Sequence, residues 1–327
     1  MSLQIIKAGI FDTIQDSGRP GYRHIGIGIS GAADRYAAQL ANCLLGKDFK
    51  EPVIEMHFPA ASIRLTAATI ICITGADFSP EVNGNACPLN QPIAVAADSV
   101  LNFSKPVKGA RCYLAVLHSF KLEPWLGSYS TSLVSKTGGI NGKKLEKGMK
   151  IEFTGRYQFN SILKEREMKF LPWRVEDPDN EKLSVRILQG VSWSDLKYDS
   201  QKILLNDTFH VSNMSDRMGI QLQGTTLEMQ EKSNFLSTAV AFGTVQLLPN
   251  GQLIILMADH QTTGGYPQVA HVIGADCPVL AQKPPNSLIR FTFTNQHTAD
   301  MLLLQQQRYL RELRSSCDIQ MQHLLHA

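Results

Sequence analysis

Apolar and polar positions along this chain change places in short runs. Runs rich in Val, Ile and Leu occupy residues 3–6, 63–65, 69–74, 95–103, 111–117, 150–153, 185–188, 240–248, 253–257 and 287–294, separated by turns of Pro, Gly and Asn. Runs of this length and composition between turn residues predict β-strands. Asn83-Gly84, Asn141-Gly142 and Asn250-Gly251 supply turns, the last a strong hairpin signal. Helical spacing is confined to three stretches. In 32–45 the residues Tyr36, Leu40, Ala41, Leu44 and Leu45 form an apolar stripe that stops at Gly46. Residues 194–205 follow a Ser cap, and residues 298–313 carry a Leu and Met stripe that reads as cover for a barrel.

The pattern repeats. Ser30-x-x-x-Asp34-Arg35-x-x-x-Gln39-Leu40 recurs as Ser212-x-x-x-Asp216-Arg217-x-x-x-Gln221-Leu222, at an offset of 182. The same offset lays Ile63-Arg64-Leu65 on Val245-Gln246-Leu247 and Ala76-Asp77 on Ala258-Asp259, while the later match of 100–103 to 288–291 needs 188. A register held over three segments predicts an internal duplication. The expectation is a mainly β protein, a closed antiparallel barrel or sandwich in each copy, with few helices. The first domain is placed at 1–156 and the second at 183–327, with the C-terminal helix. The polar, Pro-containing stretch 157–182 is the expected linker.

The six extra residues of the second copy lie between Asp259 and Phe291, downstream of the strand that feeds its most distinctive stretch, Ala258-Asp-His-Gln-Thr-Thr-Gly-Gly-Tyr-Pro267. A buried strand that turns directly into a dense set of hydrogen-bonding side chains and two glycines is how a binding loop is mounted on a rigid scaffold. The corresponding 75–84 segment of the first copy is plainer.

Composition narrows the chemistry. At 327 residues and 43% hydrophobic content the chain can bury one large or two medium cores. A net charge of +3 with dispersed Lys and Arg predicts neither a nucleic-acid nor a membrane surface. No apolar run reaches membrane-spanning length, and the first residues lack a secretory pattern, so a cytoplasmic location is expected. Six cysteines without a Cys-x-x-Cys pair read as reduced core residues, and the scattered histidines predict no metal site.

Three further clusters stand out. In Gln15-Asp16-Ser-Gly-Arg19-Pro20-Gly21-Tyr22-Arg23-His24, Asp16 either caps the local backbone and pairs with Arg19, or Arg19 is presented to a carboxylate or phosphate. The Asp-Arg pair kept at 34–35 and 216–217 reads first as scaffold, an ion pair holding a barrel corner. Gly127-Ser-Tyr-Ser-Thr131, followed by Lys136 and Gly138-Gly139, could donate to an anion but lacks the order of a P-loop.

These residues together resemble a known family. Gln15-Asp16-x-Gly18-Arg19-Pro20-Gly21-Tyr22-Arg23, Ser30-Gly31-Ala32-x-Asp34, Gly75-Ala76-Asp77-Phe78, Ser215-x-Arg217-Met218-Gly219 and Ala258-Asp259-x-Gln261-Thr262-Thr263-Gly264-Gly265-Tyr266-Pro267 are similar, in order from about residue 3 to 294, to the carboxyltransferase-type family. That family includes the C subunit of 5-oxoprolinase, allophanate hydrolase subunit 2, KipA-type antagonists of a kinase inhibitor and part of the urea carboxylase carboxyltransferase domain.

The resemblance implies two tandem cyclophilin-like β-barrels. It also implies two partners, one KipI-like (the B subunit) and one LamB/YcsF-like (the A subunit), with ATP as co-substrate of the complex. The implied reaction is ATP-dependent opening of 5-oxoproline to glutamate. Biotin is not expected, because carboxybiotin chemistry needs a carboxylase and carrier that this chain does not contain. The implied catalytic residues are Asp259, Gln261 and Thr262. Those implied for substrate binding are Asp16, Arg19, Arg217, Thr263, Gly264, Gly265 and Tyr266. The chain departs from the family at Tyr129, where relatives carry Arg, and at Thr238, where they carry Glu. A non-catalytic KipA-type regulator, or a urea- or allophanate-type subunit, remains the alternative.

Overall fold

The computed structural model describes residues 1–155, 157–176, 182–231 and 236–326. The chain divides into two units, Met1–Arg19 with Asp34–Pro178 and Gln307–Ala327, and Pro20–Ala33 with Asp179–Gln306. Both are discontinuous. Segment 20–33 belongs with the second copy, and the end of the chain with the first. Within the stretch expected as a linker, Met168–Phe170 is a strand paired with Ile93–Val95 of the first unit, and residues 177–181 lie outside the described residues.

The first unit is built on two antiparallel sheets. One runs in the order Ser119–Phe120, Lys150–Thr154, Ser2–Lys7, Ser62–Leu65, Ser99–Phe103, Pro80–Val82 and Asn85–Ala86. The other runs Met168–Phe170, Ile93–Val95, Thr69–Asp77, Lys108–Val116, Val53–Met56 and Thr13–Gln15. Their apolar residues, among them Leu3, Ile63, Ile71, Leu101 and Leu114, form one core. The run expected as a single strand at 95–103 is two strands in different sheets, because Asp98 takes a positive φ of 61° and turns the chain between them.

Helix α1 (Arg35–Leu44) lies on the second sheet. Asp34 caps it by accepting from Ala37 N at 2.9 Å, and Ala37, Leu40, Ala41 and Leu44 are buried. The helix stops at Gly46, whose φ is +71°; a Cβ there would come within 2.8 Å of Asp318 Cα. The sheet face under α1 carries a polar row absent from the sequence pattern. Thr13, Glu55, Tyr113 and Thr74 are cross-strand neighbours on four successive strands, and all are buried. Tyr113 Oη donates to Glu55 Oε2 and accepts from Asp34 N, both at 2.8 Å, and Thr74 Oγ1 donates to Ala37 O at 2.7 Å. The row ties the start of α1 to the sheet.

The second unit is a closed seven-stranded barrel. Its order is Ser184–Gln189, Gln268–Val272, Thr244–Leu247, Leu253–Leu256, Gly219–Gln223, Phe209–Val211 and Leu288–Phe293, closed by a parallel pairing of the last with the first. Val185, Ile187, Leu222, Val245, Ile255 and Phe291 fill it. The expected hairpin at Asn250-Gly251 joins Thr244–Leu247 to Leu253–Leu256. The apolar run 240–248 is strand only over Thr244–Leu247.

Four further helices complete the described chain, α2 (Asn160–Leu163), α3 (Tyr198–Asn206), α4 (Cys277–Ala281) and α5 (Gln296–His326). Helix α3 starts later than its Ser cap predicted, after Lys197 and without a side-chain cap bond. Helix α5 outruns the expected 298–313. Its part in the first unit packs on α1, where Cys43 Sγ donates to Leu310 O at 3.5 Å.

The repeat survives in some elements and not in others. An offset of 182 lays Ser2–Lys7 on Ser184–Gln189 and Ser62–Leu65 on Thr244–Leu247 end for end. The repeated Ser-x-x-x-Asp-Arg motif, however, opens a helix in one copy and a turn into strand Gly219–Gln223 in the other. Asp34 is followed by an Ala-rich helix former. Asp216 accepts from Met218 N at 2.7 Å and Gly219 N at 3.1 Å, and an alternating Ile-Gln-Leu-Gln follows.

Two stability experiments follow from the first unit. Tyr113→Phe removes a donor from buried Glu55 and an acceptor from Asp34 N, so urea unfolding should show a loss of about 1–3 kcal/mol; wild-type stability would mean the polar row adds no cohesion. His118 is fully buried, bonded through Nδ1 to Thr69 Oγ1 at 2.8 Å and stacked on Phe153. Burial, with a smaller push from the Lys47 ammonium, lowers its imidazole to about 4. Between about pH 4 and 6.5 the unfolded chain therefore binds more protons, and the His118 contribution to stability is lost as pH falls through that window. His118→Phe should flatten that part of the stability–pH curve, and an unchanged slope would place the acid sensitivity elsewhere.

Candidate functional site

Strand Leu253–Leu256 delivers Met257 and Ala258, both buried, and then Asp259. Asp259 turns inward. Arg217 Nε donates to its Oδ2 at 2.7 Å and Arg217 Nη2 to its Oδ1 at 3.2 Å, while Ser30 Oγ donates to Oδ1 at 2.6 Å. The backbones join the same knot, since Asp259 N donates to Arg217 O at 2.8 Å and Arg217 Nη2 to Gly31 O at 2.7 Å. The side chains of Arg217 and Asp259 are only 5% and 8% exposed, so this is a buried two-pronged ion pair. Arg217 thus pairs with Asp259, and the Asp-Arg repeat at 216–217 is no ion pair of neighbours: Asp216 is exposed and serves its own turn. Ser30 holds its hydroxyl in place at a strained φ of 57°. With both oxygens engaged, Asp259 is built to orient the loop.

Beyond Asp259 the loop presents the opposite character. Gln261, Thr263, Gly265 and Tyr266 are exposed, Thr262 is half-buried and Gly264 is buried. Thr263–Gly264 pairs antiparallel with Thr238–Ala239 in a two-stranded ribbon. Side chains tie that ribbon down. Arg23 donates through Nη2 to Val240 O and, at 3.3 Å, to Thr262 O; Gln268 Nε2 donates to Thr238 Oγ1 at 2.9 Å and Ala239 O at 3.2 Å. His260 Nδ1 lies 2.5 Å from Gln261 O. A carboxamide, a hydroxyl and a phenol therefore face outward from a braced backbone, a set suited to reading a carbonyl flanked by nitrogen.

Asp16 and Arg19 belong to the first unit and make a second buried cluster. Asp16 accepts from Gly18 N at 2.7 Å, Ser128 Oγ at 2.7 Å, Tyr129 N at 2.6 Å and Ser130 Oγ. The Ser and Tyr donors of the 127–131 cluster, which could have served an external anion, are thus directed onto an internal carboxylate. Arg19, 1% exposed, donates to Ser130 O and lies over the Trp125 ring at 5.0 Å. Asp16 also lines a shallow cleft with Arg35, Gln39, Asn42, Phe49 and Glu51.

Of the ten expected site residues, the structure gathers Arg217, Asp259, Gln261, Thr262, Thr263, Gly264, Gly265 and Tyr266 around one loop of the second unit. Asp16 and Arg19 sit in the other unit as its buried polar frame. Missed by sequence reasoning were the bracing roles of Ser30, Arg23 and Gln268. Ser30 and Arg23 stand inside the motifs quoted above, but their partners are far along the chain. The departures divide likewise: Tyr129 packs on the first core and Thr238 stands exposed on the ribbon.

Among the described residues no group of three or more His, Cys, Asp and Glu is placed to hold a metal ion, and no helix is long and apolar enough to cross a membrane. All six cysteines are free and buried. Burial pushes the Cys43 thiol up to about 12 and that of Cys87 to about 11, the reverse of an activated nucleophile.

Residues 25–293 match the family described as carboxyltransferase domain, subdomain A and B. The chain is 33% identical over 311 residues to the 5-oxoprolinase C subunit of Escherichia coli, covering 95% of this chain and 97% of that protein. It is 34% identical over 306 residues to the 5-oxoprolinase C subunit of Haemophilus influenzae, covering 94% and 96%. Its fold matches the crystal structure of Kluyveromyces lactis urea carboxylase with a TM-score of 0.86 at 24% identity, over 95% of this chain and 29% of that one. At that identity the likeness is one of fold.

The buried pair is open to test by equilibrium unfolding. Asp259→Ala removes the carboxylate that faces the buried Arg217 guanidinium and should cost about 3–5 kcal/mol, whereas Gln261→Ala, on the exposed side of the loop, should stay within about 0.5 kcal/mol of wild type. Equal effects of the two would show that the loop is not divided into an inner frame and an outer face.

Proposed function

The chain belongs to the carboxyltransferase subdomain A and B family, and from that premise we propose that it is the C subunit of an ATP-dependent 5-oxoprolinase. The observation that carries this reading is the identity of 33–34% to two 5-oxoprolinase C subunits over nearly the full length of both partners. The reaction would convert 5-oxo-L-proline, ATP and water to L-glutamate, ADP and phosphate, in a complex with two further subunits, one KipI-like and one LamB/YcsF-like. A lactam is a poor electrophile. Phosphoryl transfer from ATP to its carbonyl oxygen makes the ring carbon open to water; as water adds, the ring C–N bond breaks and the nitrogen takes up a proton, leaving an acyl phosphate from which a second water displaces phosphate.

In this reading the chain's share is recognition and orientation. The Gln261 carboxamide and the Thr263 and Tyr266 hydroxyls meet the amide-like edge of the substrate, with Thr262 and the Gly264-Gly265 backbone beside them. Asp259, held by Arg217 and Ser30, fixes where that set stands. A second reading has one observation in its favour: the exposed side chains from Gln261 to Tyr266 are uncharged, and the charges of Arg217 and Asp259 neutralise each other. That suits a KipA-type regulator that binds a KipI-like partner without catalysis.

ATP-dependent loss of 5-oxoproline by the chain co-purified with both partner subunits separates the two. The expected outcome is turnover in wild type and a fall of roughly 10-fold or more in Gln261→Ala with assembly intact. An assembled wild-type complex without turnover would overturn the enzyme reading in favour of the regulator.

A further inference from the structure

Directly behind the exposed loop lies a carboxamide with one arm unused. Gln246 is on the barrel strand Thr244–Leu247 and is 0% exposed. Its Nε2 donates to Tyr266 O at a long 3.5 Å, and its Oε1 accepts no hydrogen bond among the described residues. The loop rests on it. A Cβ built on Gly264 would stand 2.6 Å from Gln246 Nε2 and 3.1 Å from Val240 Cγ1, so any larger residue there would have to push the carboxamide aside.

The barrel has no need of this side chain. Gln246 joins the sheet through its backbone, opposite Ile254 and Gln268, and the adjoining core positions Val245, Leu247 and Ile255 are apolar. An apolar residue of the same shape would fill the position without burying an unsatisfied oxygen, which is the more stable arrangement. A polar group that lowers stability and is aimed at a loop points to the loop as its reason.

We propose that Gln246 is a positioning residue of the 259–267 loop. Its carboxamide sets the backbone from Thr263 to Tyr266 from beneath, so that Gln261, Thr263 and Tyr266 project together. Its Oε1 is the acceptor that a backbone N–H of the glycine pair takes up when the loop settles on a ligand. Gln246 itself, being buried, touches no ligand. This role deepens the reading of the loop as a binding site and rests on it.

Amide hydrogen exchange on the isolated chain tests the role without any substrate. In Gln246→Met, exchange across residues 262–266 should quicken by about 10-fold or more, while strands Thr244–Leu247 and Leu253–Leu256 keep wild-type rates and the thermal midpoint does not fall. Unchanged loop exchange overturns the proposal, and so does a uniform rise through loop and barrel, which would mark an ordinary core residue. Should Gln246→Met fail to fold, Gly264→Ala presses on the same contact from the loop side, and the same localised rise is required of it. In the assembled complex, Gln246→Met should lower kcat about 10-fold with little change in KM. A wild-type complex without turnover would count against lactam opening alone, because the exchange result judges Gln246 independently.

Discussion

The second unit depends on one buried contact, the two-pronged pair of Arg217 with Asp259. A guanidinium and a carboxylate taken out of water cost several kcal/mol each unless geometry and additional hydrogen bonds offset the loss. Here the offset comes from a bidentate contact, from the Ser30 hydroxyl and from the Gly31 carbonyl. Three stretches of chain, at Ser30-Gly31, at Arg217 and at Asp259 with the strand that feeds it, therefore have to meet in one arrangement. The loop that follows inherits its position from that meeting, and its outward side chains are left free of structural duty.

The first unit solves a similar problem by other means. Asp16 is as deeply placed as Asp259, yet the donors shown on it are backbone N–H groups and serine hydroxyls. Under α1 the Thr13–Glu55–Tyr113–Thr74 row does the same for a helix end, with Tyr113 joining the buried Glu55 to the Asp34 backbone. In both units buried polar groups fix where a loop or helix stands. The role proposed for Gln246 would extend that use to the back of the exposed loop, with the difference that its Oε1 has no hydrogen-bond partner among the described residues.

Much of the fold could be read from the residue pattern. The strands at 3–6, 63–65, 150–153 and 185–188 fall within observed strands, and Asn250-Gly251 makes the hairpin its residues demand. Strands of three residues such as Thr13–Gln15, and mixed ones such as Val53–Met56 with its buried Glu55, carried too little periodic signal to be seen. The loop at 259–267 announced itself through its density of polar and glycine residues. The bracing by Ser30, Arg23 and Gln268 did not.

What the sequence determined by itself is local: which segments extend, where the chain turns, that a helix lies within 32–45 and ends before Gly46, and that one polar loop follows a buried strand. Even the divergence of the Asp34 and Asp216 motifs into helix and strand follows from the residues next in line, Ala-rich in one and alternating after glycine in the other. The tertiary structure decided the partners. Asp216 is Arg217's neighbour in the chain, yet Arg217 pairs with Asp259, 42 positions away, and Ser30 reaches the same carboxylate across 229. No local preference encodes such a choice, because the energy of an ion pair or a buried hydrogen bond depends on which groups lose water together, and that is set only when the barrel closes.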